Sequence, residues 1–235
     1  MYKKQSFTMT YKIIPMLLLF GLFSFATNPI NSHKYVVSKL ETATFNTITK
    51  EKINTIYNNL DVNNFTLPKS ESFAEAFKGF YQLKEKGILQ KDILTLIDFS
   101  LSSKKQRLWV IDLKNNIILF QSLVAHGRNS GNEFAGKFSN NPQSYQSSLG
   151  FYATGETYYG KHGYSLRLDG LEKEINNNAR KRAIVIHGAD YVSENFIKQN
   201  GRLGRSLGCP SLPMNISKEI IDTIKNKSGL FVYHP

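Results

Sequence analysis

Arg107-Leu108-Trp109-Val110-Ile111-Asp112-Leu113 and the run from Ile117 to Ala125 are two apolar segments joined by the polar tripeptide Lys114-Asn115-Asn116. Two β-rich runs across so short a connection predict an antiparallel hairpin. Downstream, Gly150 to Thr154, Tyr164 to Leu168, Ala183 to His187 and Gly229 to Tyr233 are rich in β-branched and aromatic residues and predict further strands. One amphipathic helix is expected near Ser217 to Asn226. The pattern is a mainly β fold, a sandwich or barrel, with a few helices packed on it.

Upstream of the hairpin the character is helical. Phe73, Phe77, Phe80 and Tyr81 fall on one face of a helix that Ser70 would cap and Gly87 would end. A shorter helix is expected near Lys50 to Leu60, and strand character is read only beyond Asp98. Residues 27–94 therefore read as a helical N-terminal segment and residues 95–235 as the main domain. Between His126 and Ser148 lies a long Gly-, Asn- and Ser-rich connection carrying Phe134, Phe138 and Tyr145, which reads as a lid or as an ordered Ω-loop.

At the start of the chain, Lys3, Lys4 and Lys12 precede or flank an uncharged run from Ile13 to Phe25, with small residues at Ser24 and Ala26. This predicts a secretory signal peptide over residues 1–26. The run falls short of the ~20 residues a spanning helix needs, and Pro15 interrupts it. No stable membrane anchor is expected after cleavage, and the protein would be a periplasmic or extracellular monomer. Cleavage would lower the formal charge from +12 to +9. So basic a chain suits an anionic partner. Export, the absence of a Lys/Arg block longer than Arg180-Lys181-Arg182 and the lack of a phosphate-binding glycine loop argue against nucleic acid.

Cys209 is the single cysteine. Free cysteines often pack as small hydrophobes, but an unpaired thiol exported to an oxidising compartment is a liability unless it is protected or used. It sits in Ser206-Leu207-Gly208-Cys209, twenty-two residues after His187, which closes the apolar run Ala183-Ile184-Val185-Ile186. A thiol needs a neighbouring imidazole to hold or take its proton, and His187 is the candidate. Gly188 permits a tight turn behind that histidine, and Gly208 permits close backbone approach, so amides around Cys209 can form an oxyanion hole. The other ring nitrogen of His187 would be oriented by a backbone carbonyl near Gly188 or by Asp190. Tyr158, Tyr159 and Tyr164 around His162 could bracket a sugar or peptide, or pack as strand aromatics.

The span from Ile184-Val185-Ile186-His187-Gly188 to Ser206-Leu207-Gly208-Cys209, with seventeen residues between the two motifs, resembles the active-site signature of the YkuD-type L,D-transpeptidases. Leu123-Val124-Ala125-His126-Gly127, Ser147-Ser148-Leu149-Gly150-Phe151-Tyr152, His162-Gly163 and Leu166-Arg167-Leu168-Asp169-Gly170 resemble the murein L,D-transpeptidase catalytic domains in particular. The resemblance covers residues 95 to 235. It implies a YkuD-like β domain in which Cys209 attacks the carbonyl between the third and fourth residues of a peptidoglycan stem tetrapeptide. D-alanine leaves, and an amine from a neighbouring stem resolves the thioester as a 3-3 cross-link. Water as acceptor would make the protein an L,D-carboxypeptidase. It further implies His187 as base and oxyanion N–H groups from Gly208 and Cys209, with no cofactor.

The chain departs from that pattern at Leu207, where His or Asn is usual, and at Pro210-Ser211-Leu212, where an Arg commonly follows. Arg205 or Arg202 would then supply the positive charge for a substrate carboxylate. Ser206, Arg205, His162, His126 and Tyr158 are the candidate substrate-binding residues. Two rivals remain: a noncatalytic cell-wall-binding protein, and a zinc hydrolase using His126, His162 and His187. The second lacks a His-Glu-x-x-His or His-x-His motif, so no metal is expected.

Overall fold

The computed structural model describes residues 51–235. The proposed leader, residues 1–26, lies outside the described residues. Residues 51–58 are helical (α1), followed by α2 (Ser70–Glu85). The strands are β1 (Ile93–Asp98), β2 (Leu108–Asp112), β3 (Ile117–Ser122), β4 (Gly150–Gly160), β5 (Gly163–Gly170), β6 (Val185–Gly188), β7 (Ser211–Leu212) and β8 (Gly229–Tyr233). Helix α3 (Glu194–Asn200) lies between β6 and β7, and α4 (Met214–Ile224) between β7 and β8.

All eight strands form one sheet in the order β3-β2-β1-β8-β4-β5-β6-β7. Its two edges approach each other: Ala125 and Gly127, on the chain leaving β3, form bridges to Ser211 of β7 and to Ser206. The sheet is thus nearly closed, in agreement with the mainly β expectation. The β2–β3 hairpin forms as the sequence implies, with Asp112 Oδ1 accepting from the Lys114 and Asn115 amides.

Period-two alternation sorts the central strands between two cores. Ile97, Leu108, Val110, Leu230 and Val232 join Ile220, Ile221 and Ile224 of α4 inside the curve of the sheet. Leu94, Leu96, Trp109, Ile111, Phe231 and Tyr233 point the other way, onto Phe73, Phe77 and Phe80 of α2. Those three rings are fully buried, each worth about 2 kcal/mol of transfer free energy. Helix α2 begins at Ser70, so Lys69 and not the expected Ser70 is its N-cap, and no side chain caps it; Gly87 follows its end at φ +70°.

Four local expectations change. Strand β1 precedes Asp98; with both faces buried, Ile93-Leu94-Thr95-Leu96-Ile97 lacks the hydrophobic-polar alternation of a half-exposed strand. The connection after Ala189 contains α3, started by Ser193, whose Oγ accepts from the Phe196 amide, and ended by Gly201 at φ +71°. Helix α4 starts three residues earlier than expected, directly after Pro213. The short β7, too brief to show periodicity, pairs parallel to β6.

Candidate active site

The β6–β7 register brings the two motifs together. His187 pairs with Ser211 in the parallel ladder, so Cys209, two residues before Ser211, lies against the start of β6. Its thiol donates to the Ala183 carbonyl at 3.7 Å. Burial pushes the thiol pKa up, while the Val185 N–H and the Arg182 charge pull it back.

Register also builds a row across the sheet: Tyr158 of β4 opposes Ser165 of β5, Ser165 opposes His187, and His187 opposes Ser211. Ile186, Leu166 and Leu212, between or beside these residues, point into the inner core, so alternation turns the row to the other face. The β4–β5 turn then folds His162 over His187, with ring centroids 4.4 Å apart and planes at 21°. Tyr158 carries the Arg167 guanidinium over its ring at 4.4 Å.

His187 is buried and both of its ring nitrogens are engaged. Nδ1 is 2.8 Å from the Gly188 carbonyl, and Nε2 is 3.0 Å from Ser211 Oγ. A carbonyl only accepts, so Nδ1 carries the proton and Nε2 accepts from the Ser211 hydroxyl. Ser211 Oγ must then accept from Tyr191, whose hydroxyl is 3.0 Å away. Burial first, and the neighbouring His162 in part, lower the His187 pKa. The orienting group is therefore the Gly188 carbonyl; Asp190 is exposed. Gly188 has no positive φ, and its need for glycine is space: a Cβ would lie 2.7 Å from Ser217 Oγ and 2.8 Å from Met214 Sδ.

The Cys209 turn is closed by Ser206, whose Oγ accepts from the Gly208 amide at 3.0 Å and donates to the Cys209 carbonyl at 2.6 Å. That commitment removes the Gly208 N–H from the oxyanion donors expected from sequence. Gly208 itself is required: its φ is +128°, and a Cβ would sit 2.9 Å from the Gln146 carbonyl. The Gly208 carbonyl accepts from Ser147 Oγ at 3.2 Å.

His126 is not in this cleft. It is fully buried, with Arg107 Nη2 donating to Nδ1 at 2.8 Å and Nε2 facing the Gly131 carbonyl at 3.3 Å. Burial and then the Arg107 charge lower its pKa to about 4. The enclosed Arg107 also donates to the Val124 and Leu101 carbonyls. This pair anchors the base of the 126–148 loop. Among the described residues no group of three or more His, Cys, Asp or Glu side chains is arranged to hold a metal ion.

Arg205 lies one residue before the Cys209 turn and donates through Nη1 to the Arg128 and Gly131 carbonyls and to Asn132 Oδ1. It lines an open pocket of about 360 Å³ with Arg128, Lys137 and Phe134. Arg202 donates to its neighbour's carbonyl. Sequence reasoning missed Ser211, Tyr191, Arg107 and Arg182. Ser211 alone had a local signal, two residues past the cysteine where the pattern of the resembling family breaks.

The nearly closed β domain thus places one thiol at a sheet edge and a backbone-oriented imidazole two residues along the neighbouring strand, an arrangement that can carry nucleophilic Cys–His chemistry. A family model described as the L,D-transpeptidase catalytic domain matches residues 66–233, and this chain belongs to that family. An L,D-transpeptidase from Mycobacterium smegmatis aligns with 61% of this chain and 59% of its own, at 12% identity and a TM-score of 0.38. Mycobacterium tuberculosis L,D-transpeptidase 1 aligns with 61% of this chain and 62% of its own, at 12% identity and 0.35. An Enterococcus faecium L,D-transpeptidase gives 61%, 50%, 14% and 0.36 in the same order. The chain thus spans less than two thirds of the length of these structures. No curated protein matches it in sequence. Among the described residues no helix is long and apolar enough to cross a membrane.

Proposed function

We propose that this chain is an exported peptidoglycan L,D-transpeptidase with Cys209 as nucleophile and His187 as base. The observation that carries the reading is the meeting of the two motifs at the β6–β7 edge, within a chain whose family is that of L,D-transpeptidase catalytic domains. Cys209 Sγ attacks the carbonyl of the third stem residue, and the C–N bond to terminal D-alanine breaks. The amine leaves with the proton His187 took from the thiol, and the acyl group remains as a thioester. An amine of a second stem then attacks the thioester and regenerates the thiol.

The resting thiol is not hydrogen-bonded to His187; its partner is the Ala183 carbonyl. Catalytic hydrogen bonds commonly close only around substrate, and Ser211 holds the Nε2 lone pair in the meantime. With the Gly208 amide committed to Ser206, the Cys209 N–H is the oxyanion donor of this turn. His162 and Tyr158, on the same face as His187, and Ser206 and Arg205, flanking Cys209, would contact the stem peptide. The leader-like residues 1–26 support export, and the basic composition suits the acidic wall.

The test is mass spectrometry of residues 27–235 and its Cys209→Ala variant after incubation with a disaccharide tetrapeptide from a diaminopimelate-type wall. A dimer lacking one D-alanine, made only with the thiol present, supports transpeptidation. Tripeptide monomer alone would make the protein an L,D-carboxypeptidase. Binding of sacculi by both proteins without product would make it a noncatalytic wall binder.

A further inference from the structure

We infer that Arg182 is a positioning residue that supplies the countercharge for the Cys209 sulfur while fastening the 139–148 loop over the cysteine turn. The inference rests on the reading of Cys209 as nucleophile and adds a residue that neither the motifs nor the spacing single out.

Arg182 lies three residues before β6, inside the basic run Arg180-Lys181-Arg182. Its half-buried guanidinium spends four donors on the loop. Nη1 donates to the Ser139 carbonyl and to Ser148 Oγ, each at 2.6 Å; Nη2 donates to the Gln146 carbonyl at 2.7 Å and to Ser144 Oγ at 3.1 Å. All four acceptors are neutral. Among the described residues no carboxylate pairs with Arg182. Arg180 makes the contrast, being held by both Glu156 and Asp169. A half-buried cation that satisfies its hydrogen bonds but has no anion is unusual, because desolvating an unpaired charge is costly.

The position of that charge gives it a use. The same loop segment packs on the residue before the cysteine: a Cβ on Gly208 would lie 2.9 Å from the Gln146 carbonyl and 3.5 Å from Arg182 Nη2. The missing side chain at 208 thus lets the guanidinium approach the turn that presents the thiol. Tyr152 and Tyr191, the phenols beside these groups, are both held neutral by burial, and burial keeps His187 neutral. Beside the cysteine turn, Arg182 is the group that carries a full charge. When the thiol gives up its proton, the negative sulfur gains a cation and the guanidinium gains the anion that its site lacks.

The experiment reads the thiol directly and needs no wall substrate, so a protein that turns over nothing still reports it. The rate of Cys209 alkylation by iodoacetamide is followed against pH in the wild type, Arg182→Gln and Arg182→Lys, with folding checked by circular dichroism and thermal unfolding. Losing the Arg182 charge should raise the midpoint by about one unit, a roughly tenfold loss of rate near neutral pH. The expected result is that shift in Arg182→Gln with most of it recovered in Arg182→Lys, which keeps the charge but not the fork. Unchanged midpoints in both variants would overturn the inference, and a shift that lysine does not rescue would reduce Arg182 to a loop tether. If the variants do not fold, the wild type decides: at about 0.15 M salt, where charges beyond about 8 Å are screened, the ratio of iodoacetate to iodoacetamide rates should exceed that of a free thiol. A ratio equal to the free thiol's would overturn the inference.

Discussion

Ser211 Oγ stands 3.0 Å from His187 Nε2, the middle contact of a four-group chain whose proton directions are set by the Gly188 carbonyl, which can only accept. Tyr191 donates to Ser211, Ser211 to His187, and His187 through Nδ1 to the Gly188 carbonyl. His187 is therefore fixed in one neutral tautomer, with its Nε2 lone pair covered by the Ser211 hydroxyl.

Ser211→Ala leaves a buried imidazole nitrogen and a phenol without their partner, and Tyr191→Phe leaves the serine oxygen without its donor. Each should cost about 1 kcal/mol or somewhat more of unfolding free energy. The double variant should cost less than the sum, because both remove links of the same chain. Urea unfolding of the four proteins checks this, and strict additivity would contradict the chain.

Rate against pH should show an acid limb whose midpoint lies below about 6.5, the ordinary histidine value, because burial disfavours the protonated form of His187. Removing the stacked ring in His162→Ala both opens His187 to water and removes a neighbouring imidazole, so the midpoint should rise. Initial rates of D-alanine release at saturating and limiting substrate measure it; a midpoint unmoved by His162→Ala would show that the stack does not tune the base.

Stability should fall on acidification through His126. Its folded pKa of about 4 lies below the unfolded value of about 6.5, so the unfolded chain binds the proton first. The loss begins as pH drops below about 6.5, is complete near pH 4, and amounts to about 3 kcal/mol. Denaturant titrations at several pH values should show this slope, and His126→Gln should flatten it. Arg107→Met, which strands buried acceptors on Val124, Leu101 and His126, should be worse at every pH, by about 3 kcal/mol.

At the cysteine turn, Gly208→Ala must force a side chain into φ +128° against the Gln146 carbonyl. Ser206→Ala instead removes two hydrogen bonds while leaving the space as it is. Both should lower turnover, with Gly208→Ala losing at least tenfold and also lowering the melting temperature by several degrees, as a few kcal/mol of strain would. Ser206→Ala should lose about 1 to 2 kcal/mol. Equal behaviour of the two by calorimetry would contradict the steric account.

Much of the frame was legible because it rests on short-range rules. Apolar runs flanking Lys114-Asn115-Asn116 can only turn back on themselves, and the helical spacing of Phe73, Phe77 and Phe80 puts one apolar face on the sheet. Strand β1 escaped because a strand buried on both faces loses the alternation that marks strands. Helix α3 escaped because it is short and has no buried face to pattern its residues.

By itself the sequence determined which chemistry the chain can carry: one thiol, a histidine at a strand end, and a glycine turn between them at a spacing that a strand and its return can close. Tertiary structure decided who holds whom. His126 and His187 each precede a glycine at the end of an apolar run, yet one is locked against Arg107 in the interior and the other faces Ser211 at the sheet edge. Arg180 and Arg182 are two residues apart, yet one finds two carboxylates and the other a loop and a thiol turn. The physical reason is that a polar atom's state is set by the donors, charges and solvent within a few ångströms, and folding of the sheet brings those from residues eleven to thirty-six positions away.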